Sequence, residues 1–358
     1  MPRLAATVLV LSLVLPWNAV LAARLELPDG QSVDLEVLQR QVVGPGCSGR
    51  LLGLKEHPFS EAQLSCDAFL SFALVQASLE GKAPPDVRER LKALLTDALG
   101  RARTPFRNTG STQVAGYSLP RSVLYRGFLL LMLAGQERAG FSDEAHRTLF
   151  DALAAQTVEA FSKQPLLPSF GESIWPCDNA LAASGLLLHG RLRGNEASRA
   201  AGERLAAHLV KLLESPGGFP TQVDAKGRIL KKTPRGTVLA WSAAFLAMSG
   251  HPGASTFANV LLKDFCERVF PGAAACREWP RGVERAADAA SGPIIGGYGQ
   301  GATALAIAAT RASEELAGWH TDLRTTAVLG GIQKHVSQPG KYPLETTLYV
   351  WASGLRSW

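Results

Sequence analysis

The chain alternates between two kinds of apolar pattern. Stretches of the first kind are apolar nearly all the way round, which predicts helices buried on every side; they are 61–79, 123–134, 180–188, 238–248, 302–309 and 347–355. Stretches of the second kind carry one apolar stripe at helical spacing and predict helices with a single face in the core; they are 85–98, 143–161, 197–213, 254–269 and 322–335, with 33–41 as a further candidate.

The buried stretches recur at a regular interval. Five of them begin near a proline, a residue favoured in the first turn of a helix; these are Pro120, Pro176, Pro234, Pro293 and Pro343. Buried and striped helices in alternation predict six helical hairpins closed into a ring, an all-α (α/α)6 barrel, with an open helical solenoid as the alternative. Short strands are expected at 24–27 and in a hairpin that joins 218–223 to 228–231.

The N-terminus predicts export. Residues 1–22 have the order of a signal peptide: a basic start at Arg3, an apolar core over 4–15, then Pro16 and a small-residue pattern that ends at Ala22. Residues 23–358 are therefore expected to form one barrel domain in the periplasm or outside the cell. An uncleaved N-terminal anchor is the alternative. No later unbroken run of 18 apolar residues follows, so no stable membrane span is expected after cleavage.

The chain has five cysteines, and an exported protein can form disulfides. Cys47 and Cys66 form one local pair, and Cys266 and Cys276 form another. This pairing would leave Cys177 as a free thiol. Spacing does not decide the pairing, since any two of the five could bond.

Charge and motifs exclude several classes of function. The 358 residues carry a formal net charge of +6, but the basic residues are scattered, so no nucleic-acid partner is expected. The seven histidines show no metal-ligand spacing, and no metal is expected. The glycine-rich segment 296–301 has no preceding strand and no Walker lysine, so we expect no nucleotide cofactor either. The expected partner is a small-molecule substrate, and the oligomeric state is left open.

The strongest candidate chemistry lies in segment 172–179, where a thiol and a carboxylate stand together at a predicted helix start. A helix start has free N–H groups and a partial positive charge, which lower a cysteine pKa and stabilise an anion. In a barrel, the inner helix starts would converge on one mouth. The residues expected there as catalytic groups are Cys177, Asp178, Asp288 and Glu345, and those expected to bind substrate are Tyr125, Arg126, Trp175, Asn179, Arg235 and Tyr298.

Structural roles compete with these functional ones. Asp178 and Ser291 could be helix N-caps, which is the commonest role of such residues at a helix start. Arg121, Arg126 and Arg235 could form purely structural ion pairs with Asp178, Asp288 or Glu345.

Four short motifs resemble the linalool dehydratase/isomerase-like family. They are Tyr125-Arg-Gly, Ile174-Trp-Pro-Cys-Asp-Asn, Pro234-Arg-Gly and Ser291-Gly-Pro, and the resemblance covers roughly 117–355. It implies an (α/α)6 barrel and cofactor-free acid–base chemistry on an allylic terpene alcohol in an apolar pocket. Cys177 and Asp178 would be its thiol and acid–base pair. Leu186 and Leu187 stand where a second cysteine would be expected.

The sequence thus predicts an exported enzyme with hydratase- or dehydratase-type chemistry, a lyase or isomerase, on a small organic substrate such as a terpenoid. Asp178 would be the general acid or base, Cys177 a nucleophile or proton donor, and Asp288 or Glu345 the second carboxylate. One alternative is a glycoside hydrolase or lyase-like carbohydrate-active barrel, which needs two facing carboxylates. Another is a non-catalytic exported binding or scaffold barrel.

Overall fold

A computed structural model describes residues 23–358 except 28, 45, 48–60 and 312, so the predicted signal peptide lies outside the described residues. The described α-helices are α1 (Leu35–Val43), α2 (Ala62–Leu79), α3 (Val87–Gly100), α4 (Val123–Arg138), α5 (Glu144–Lys163), α6 (Asn179–Arg193), α7 (Glu196–Leu213), α8 (Gly236–Met248), α9 (Gly253–Asp264), α10 (Gln300–Arg311), α11 (Ala317–Leu329), α12 (Ile332–Ser337) and α13 (Pro343–Gly354). Short 3-10 helices span Arg101–Thr109, Pro176–Asp178 and Glu314–Leu316.

The strands are short and pair only within local hairpins. They are β1 (Arg24–Glu26), β2 (Ser32–Asp34), β3 (Ser111–Val114), β4 (Tyr117–Pro120), β5 (Gln222–Val223), β6 (Ile229–Lys231), β7 (Cys266–Phe270), β8 (Ala273–Cys276), β9 (Ile294–Ile295) and β10 (Tyr298–Gly299). Each strand pairs antiparallel with its neighbour in sequence, giving five two-stranded ribbons in the described part of the chain. The ribbons lie in the loops between the helices and form no larger sheet among the described residues, while strand residues such as Val223 and Ala274 are buried against the helices.

Six helices form a closed inner ring. In order they are α2, α4, α6, α8, α10 and α13; each packs against the next, and α13 packs back against α2. An open solenoid would leave its first and last repeats apart, so this contact identifies the fold as an (α/α)6 barrel and confirms the fold prediction. The ring is apolar because each inner helix has neighbours on all sides: twelve of the residues of α8 are buried.

The outer layer shields this ring with α3, α5, α7, α9 and α11, and α1 packs against α2, α3 and α13 at the seam between the chain ends. Several outer helices begin at a side-chain cap: Asp34, Asp143 and Asn195 each accept a hydrogen bond from a backbone N–H three residues on.

One described helix, Ala62–Leu79, is long and apolar enough to cross a membrane, and 83% of it is buried inside the barrel.

Glycines let the inner helices approach closely. A Cβ built on Gly127 of α4 would lie 2.6 Å from the Leu181 Cβ of α6, and one on Gly185 of α6 would lie 2.5 Å from the Leu130 Cβ of α4. Two complementary contacts of this kind show that α4 and α6 pack backbone against backbone. A methyl group at either position would push the helices apart.

The predicted C-terminal ends of two outer helices, 254–269 and 322–335, were wrong. Helix α9 ends at Asp264, and the residues predicted to continue it form β7, which pairs with β8 across a turn at Gly272. The stretch 322–335 is split into α11 and α12, because Gly331 has a φ of 88°, in the left-handed region. The ribbons β3–β4, β7–β8 and β9–β10 were not predicted.

The predicted disulfides are present. Cys47 bonds to Cys66 in the first turns of α2, and Cys266 bonds to Cys276 across the β7–β8 ribbon. Cys177 is left as a free, buried cysteine. The local pairing expected from the sequence is therefore confirmed.

Candidate active site at the barrel mouth

A cavity of about 1050 Å³ opens where the inner helices begin. Each inner helix contributes lining residues to the cavity from its first turns or from the one or two residues before it. They are Glu61 and Ser65 at α2, Leu124 at α4, Cys177 and Asp178 at α6, Arg235 and Thr237 at α8, Gly301 at α10, and Glu345 at α13. The inner helix starts therefore converge on one mouth, as expected for the barrel. Helix N-termini contribute positive potential to the same place.

Aromatic rings form one wall of this mouth. Phe69 and Trp241 meet edge to face with ring centroids 6.4 Å apart, and Trp175 lines the cavity beside them. The indole N–H of Trp241 is buried and has no hydrogen-bond partner in the described part of the chain. A bound polar group could accept from it, because buried donors in proteins are normally satisfied.

Asp178 is held at the mouth by a 3-10 turn, Pro176–Asp178, that leads directly into α6. Asp178 is only 7% exposed. Its side chain makes no capping hydrogen bond to α6, so the N-cap interpretation is wrong for this side chain. Burial raises its pKa to about 7; the nearby Glu61 carboxylate adds to the rise, while the neighbouring Ser169 hydroxyl and the Cys177 thiol oppose it. The carboxyl can therefore release or take up a proton near neutral pH.

Cys177 points into the same cavity, with its Sγ 3.6 Å from Oδ1 of Asp178. Burial raises its pKa well above the ordinary range, and the negative charge of Asp178 raises it further. The expectation that the helix start would lower this pKa is wrong, because loss of hydration outweighs the helix field. The thiol stays protonated and can donate a hydrogen bond to Asp178.

Arg235 is the buried cation of the mouth. Its Nη2 donates to Oδ1 of Asp288 at 2.8 Å, its Nε donates to the fully buried Glu278, and its guanidinium stacks over Trp279 at 4.8 Å. Glu278 also accepts from the hydroxyl of Thr237. This is the structural ion pair that the sequence left open for Arg235 and Asp288.

The pKa values of the two acids of this cluster shift in opposite directions. Burial raises the pKa of Glu278 more than Arg235 lowers it. Burial also acts on Asp288, but there the bonds from Arg235 and from the backbone N–H groups of Ser291 and Ala290 prevail and lower the pKa. Asp288 is not among the cavity-lining residues. Ser291 caps no helix: it closes a turn with Asp288 well before α10 begins.

The remaining predicted residues divide into two groups. Trp175, Glu345 and Tyr298 line the cavity, and the Tyr298 hydroxyl donates to Glu267. Three others do not line it, and their polar groups hold the backbone instead. Tyr125 donates to the carbonyl of Ala98 at 2.9 Å, Arg126 donates from Nε to the carbonyl of Pro120 at 3.0 Å, and Asn179 bonds both backbone groups of Leu167.

Sequence reasoning did not select Glu61 or Glu278. Glu61 precedes the first inner helix, the position that made the other acids candidates, so the repeat itself could have pointed to it. Glu278 follows an unpredicted strand and carries no such signal. Among the described residues, no group of three or more His, Cys, Asp or Glu is placed to hold a metal ion.

Comparison with known proteins finds no matching family model and no matching curated protein. Solved structures do match. An inactive variant of the α-1,6-mannanase GH76A of Salegentibacter sp. HEL1_6, in complex with α-1,6-mannotriose, is 13% identical with a TM-score of 0.55, and the match covers 89% of this chain and 97% of that one.

Two further structures match over similar lengths. The unsaturated glucuronyl hydrolase of Bacillus sp. GL1 is 13% identical with a TM-score of 0.52, covering 87% of this chain and 94% of that one. A family 105 glycoside hydrolase of C. acetobutylicum ATCC 824 is 12% identical with a TM-score of 0.52, covering 89% and 98%. These neighbours support the barrel fold that the motif resemblance implied, but they do not support linalool chemistry.

Proposed function

We propose that this chain is a carbohydrate-active enzyme that cleaves a glycosidic bond by acid–base catalysis at the barrel mouth. The observation that carries the proposal is the placement of Asp178, whose buried carboxyl lines the same cavity as Glu61 and Glu345. A carboxyl with a pKa of about 7, buried in a large cavity, is about half protonated at pH 7 and more fully protonated at lower pH, so it can act as a general acid.

Glycoside cleavage requires a second carboxylate that stays charged. Glu61 and Glu345 line the same cavity, and Glu61 is close enough for its charge to raise the pKa of Asp178. Glu61 and Glu345 are therefore the candidates for the charged partner of Asp178. Asp288, which the sequence nominated, is instead bound to Arg235.

The lining of the mouth also suits a saccharide. Trp175 and Trp241 offer flat apolar faces next to the polar groups of Asp178 and Arg235, the mixture typical of ligand sites that orient a small molecule. The structural neighbours named above are glycosidases, and one of them binds a mannotriose. Two disulfides accord with export to an oxidising compartment. Residues 1–22 would direct that export as a signal peptide, and the remaining chain would be a single mature domain.

The second candidate is the hydratase or dehydratase chemistry on a terpenoid-like alcohol that the motif resemblance implies. One specific observation favours it: a protonated thiol, Cys177, lies against the Asp178 carboxyl in a cavity whose lining is mostly apolar. This arrangement could protonate a hydroxyl leaving group without a metal or an organic cofactor.

The test is to screen the purified protein on two panels, oligosaccharides that include α-1,6-mannans and unsaturated uronides, and terpene alcohols. With any substrate that is converted, we expect Asp178→Asn to lower kcat by a factor of about 10² to 10⁴. Glu61→Gln and Glu345→Gln then identify the second carboxylate. Asp264→Asn, at the exposed end of α9, is the control.

The outcomes separate the candidates. Turnover of saccharides alone supports the proposal, and turnover of terpene alcohols alone supports the second candidate. Full activity of Asp178→Asn on the substrate that the natural chain converts would refute acid–base catalysis at this residue. Binding without turnover of either class would point to the non-catalytic barrel.

A further inference from the structure

The cavity at the mouth continues sideways beyond the catalytic candidates. Its second part, the side arm, runs between inner helices α10 and α13, outer helix α11, the short helix α12 and strand β7. The side arm is lined by Val269, Phe270, Ile307, Ala327, Ile332 and Leu348. These six side chains are apolar, and Thr326 and His335 are polar residues of α11 and α12 that also line the cavity, whereas Asp178, Glu61 and Arg235 lie at the mouth.

The charged residues near the side arm are engaged elsewhere. Glu267 accepts from Arg277 and Arg281, and Arg268 donates to Asp322 at 2.7 Å and stacks over Trp319 at 4.4 Å. They therefore present no unpaired charge that would select a polar ligand. A ligand group in the side arm meets mainly hydrocarbon.

The outer end of the side arm exposes large apolar side chains to water. Phe270 is 68% exposed and Ile295 is 78% exposed, and both line the cavity. Exposed apolar residues gathered at a cavity entrance are typical of binding surfaces, since a ligand that covers them removes apolar area from water.

We propose that the substrate is an amphiphile whose polar head, a saccharide under the proposed function, reacts at Asp178 while a long alkyl or isoprenoid chain occupies the side arm. This rests on the proposed function for the head group only. The cavity volume of about 1050 Å³ is at the upper end of the roughly 300–1,000 Å³ typical of small-molecule sites, which is more than one sugar ring needs. The continuity of mouth and arm provides for one ligand that spans both.

The experiment measures binding at equilibrium to the Asp178→Asn protein, which avoids turnover. The probes are methyl, hexyl, octyl and decyl glycosides below their micellar concentrations, and 1-alkanols of the same lengths. We expect affinity to rise with chain length by up to about threefold to fourfold per methylene until the side arm is full. Affinity that does not change from the methyl to the decyl probe in either series would overturn the inference.

Variants locate the effect. Ala327→Phe on α11 fills the side arm and should abolish the dependence on chain length, whereas Thr321→Phe, exposed on the same helix, should preserve it. Ile332→Gln makes the arm polar without filling it and should give the same loss if Ala327→Phe does not fold. A chain-length dependence that survives in a folded arm variant would overturn the proposal.

The two proposals fail separately. Alkanol binding that depends on Ala327, with no saccharide converted by the natural chain, would support the side arm and refute the glycosidase proposal. Saccharide turnover with no effect of an attached chain on binding would support the glycosidase and refute the side arm.

Discussion

Asp178→Asn should change the pH dependence of folding in a direction that follows from burial. The native carboxyl has a pKa of about 7, against an ordinary value of 3.8. The folded state therefore keeps this proton to a higher pH than the unfolded chain does. Stability linked to Asp178 is complete below about pH 4 and is lost progressively as the pH rises through 7.

The size of the effect follows from the shift. A rise of about three pKa units corresponds to about 4 kcal/mol, at roughly 1.4 kcal/mol for each unit. Asparagine cannot ionise and so resembles the protonated acid. Relative to the natural chain, Asp178→Asn should change little at pH 4 and should be more stable by up to about 4 kcal/mol at pH 8.5.

The assay is urea unfolding of both proteins, with the disulfides intact, at half-unit steps from pH 4 to 8.5. Asp264→Asn provides the control for the loss of an exposed carboxylate, and its difference from the natural chain should stay flat. A flat difference for Asp178→Asn, or one that falls with pH, would refute the reasoning. If Asp178 is the general acid, kcat/KM should also decline above about pH 7, which a pH–rate profile of any converted substrate tests.

Three further perturbations test the surroundings of the mouth. Without reductant, the unfolded chain should show one reactive thiol, that of Cys177. In the native protein this thiol should react with a thiol reagent at pH 8 at least tenfold more slowly than in the unfolded chain, because it is buried and protonated. Equally fast labelling in the two states would contradict its burial. Arg235→Met should lower the free energy of unfolding in urea by about 3–5 kcal/mol, since it leaves Glu278 buried without its cation. Adding Glu278→Gln to this variant should recover part of the lost stability. Strictly additive effects of the two substitutions would show that the pair is not coupled. Gly236→Ala should cost at least about 1–3 kcal/mol, because the new Cβ would lie 2.0 Å from the carbonyl oxygen of Arg277, and an unchanged midpoint would show that the α8 start can shift.

Much of the barrel could be predicted because its helices carry their environment in their own pattern. An inner helix such as α8 has neighbours on every side and must be apolar all round, whereas α7 buries only the stripe that includes Leu205 and Leu209. The cysteines were paired correctly because each pair is close in sequence. Helix ends failed where a turn overruled the helical pattern, as at Gly331.

The candidate site could be predicted only in part. Position at an inner helix start correctly indicated that Asp178, Trp175 and Glu345 would meet in one cavity. It did not show that Tyr125 and Asn179 would turn to the backbone, because a side chain at a helix start can face the mouth or the loop behind it.

By itself, the sequence determined the alternation of buried and striped helices and the placing of a thiol–acid pair before α6, and it suggested the local disulfides; all of these depend on residues near one another in the chain. The contact between α13 and α2 that closes the ring was decided in three dimensions, as were the pKa of Asp178 and the side arm. The reason is that burial is a property of the assembled barrel. Asp178 loses its hydration only when α4, α6 and α8 pack around its turn, and the side arm exists only because α10, α11 and α12 leave space between them.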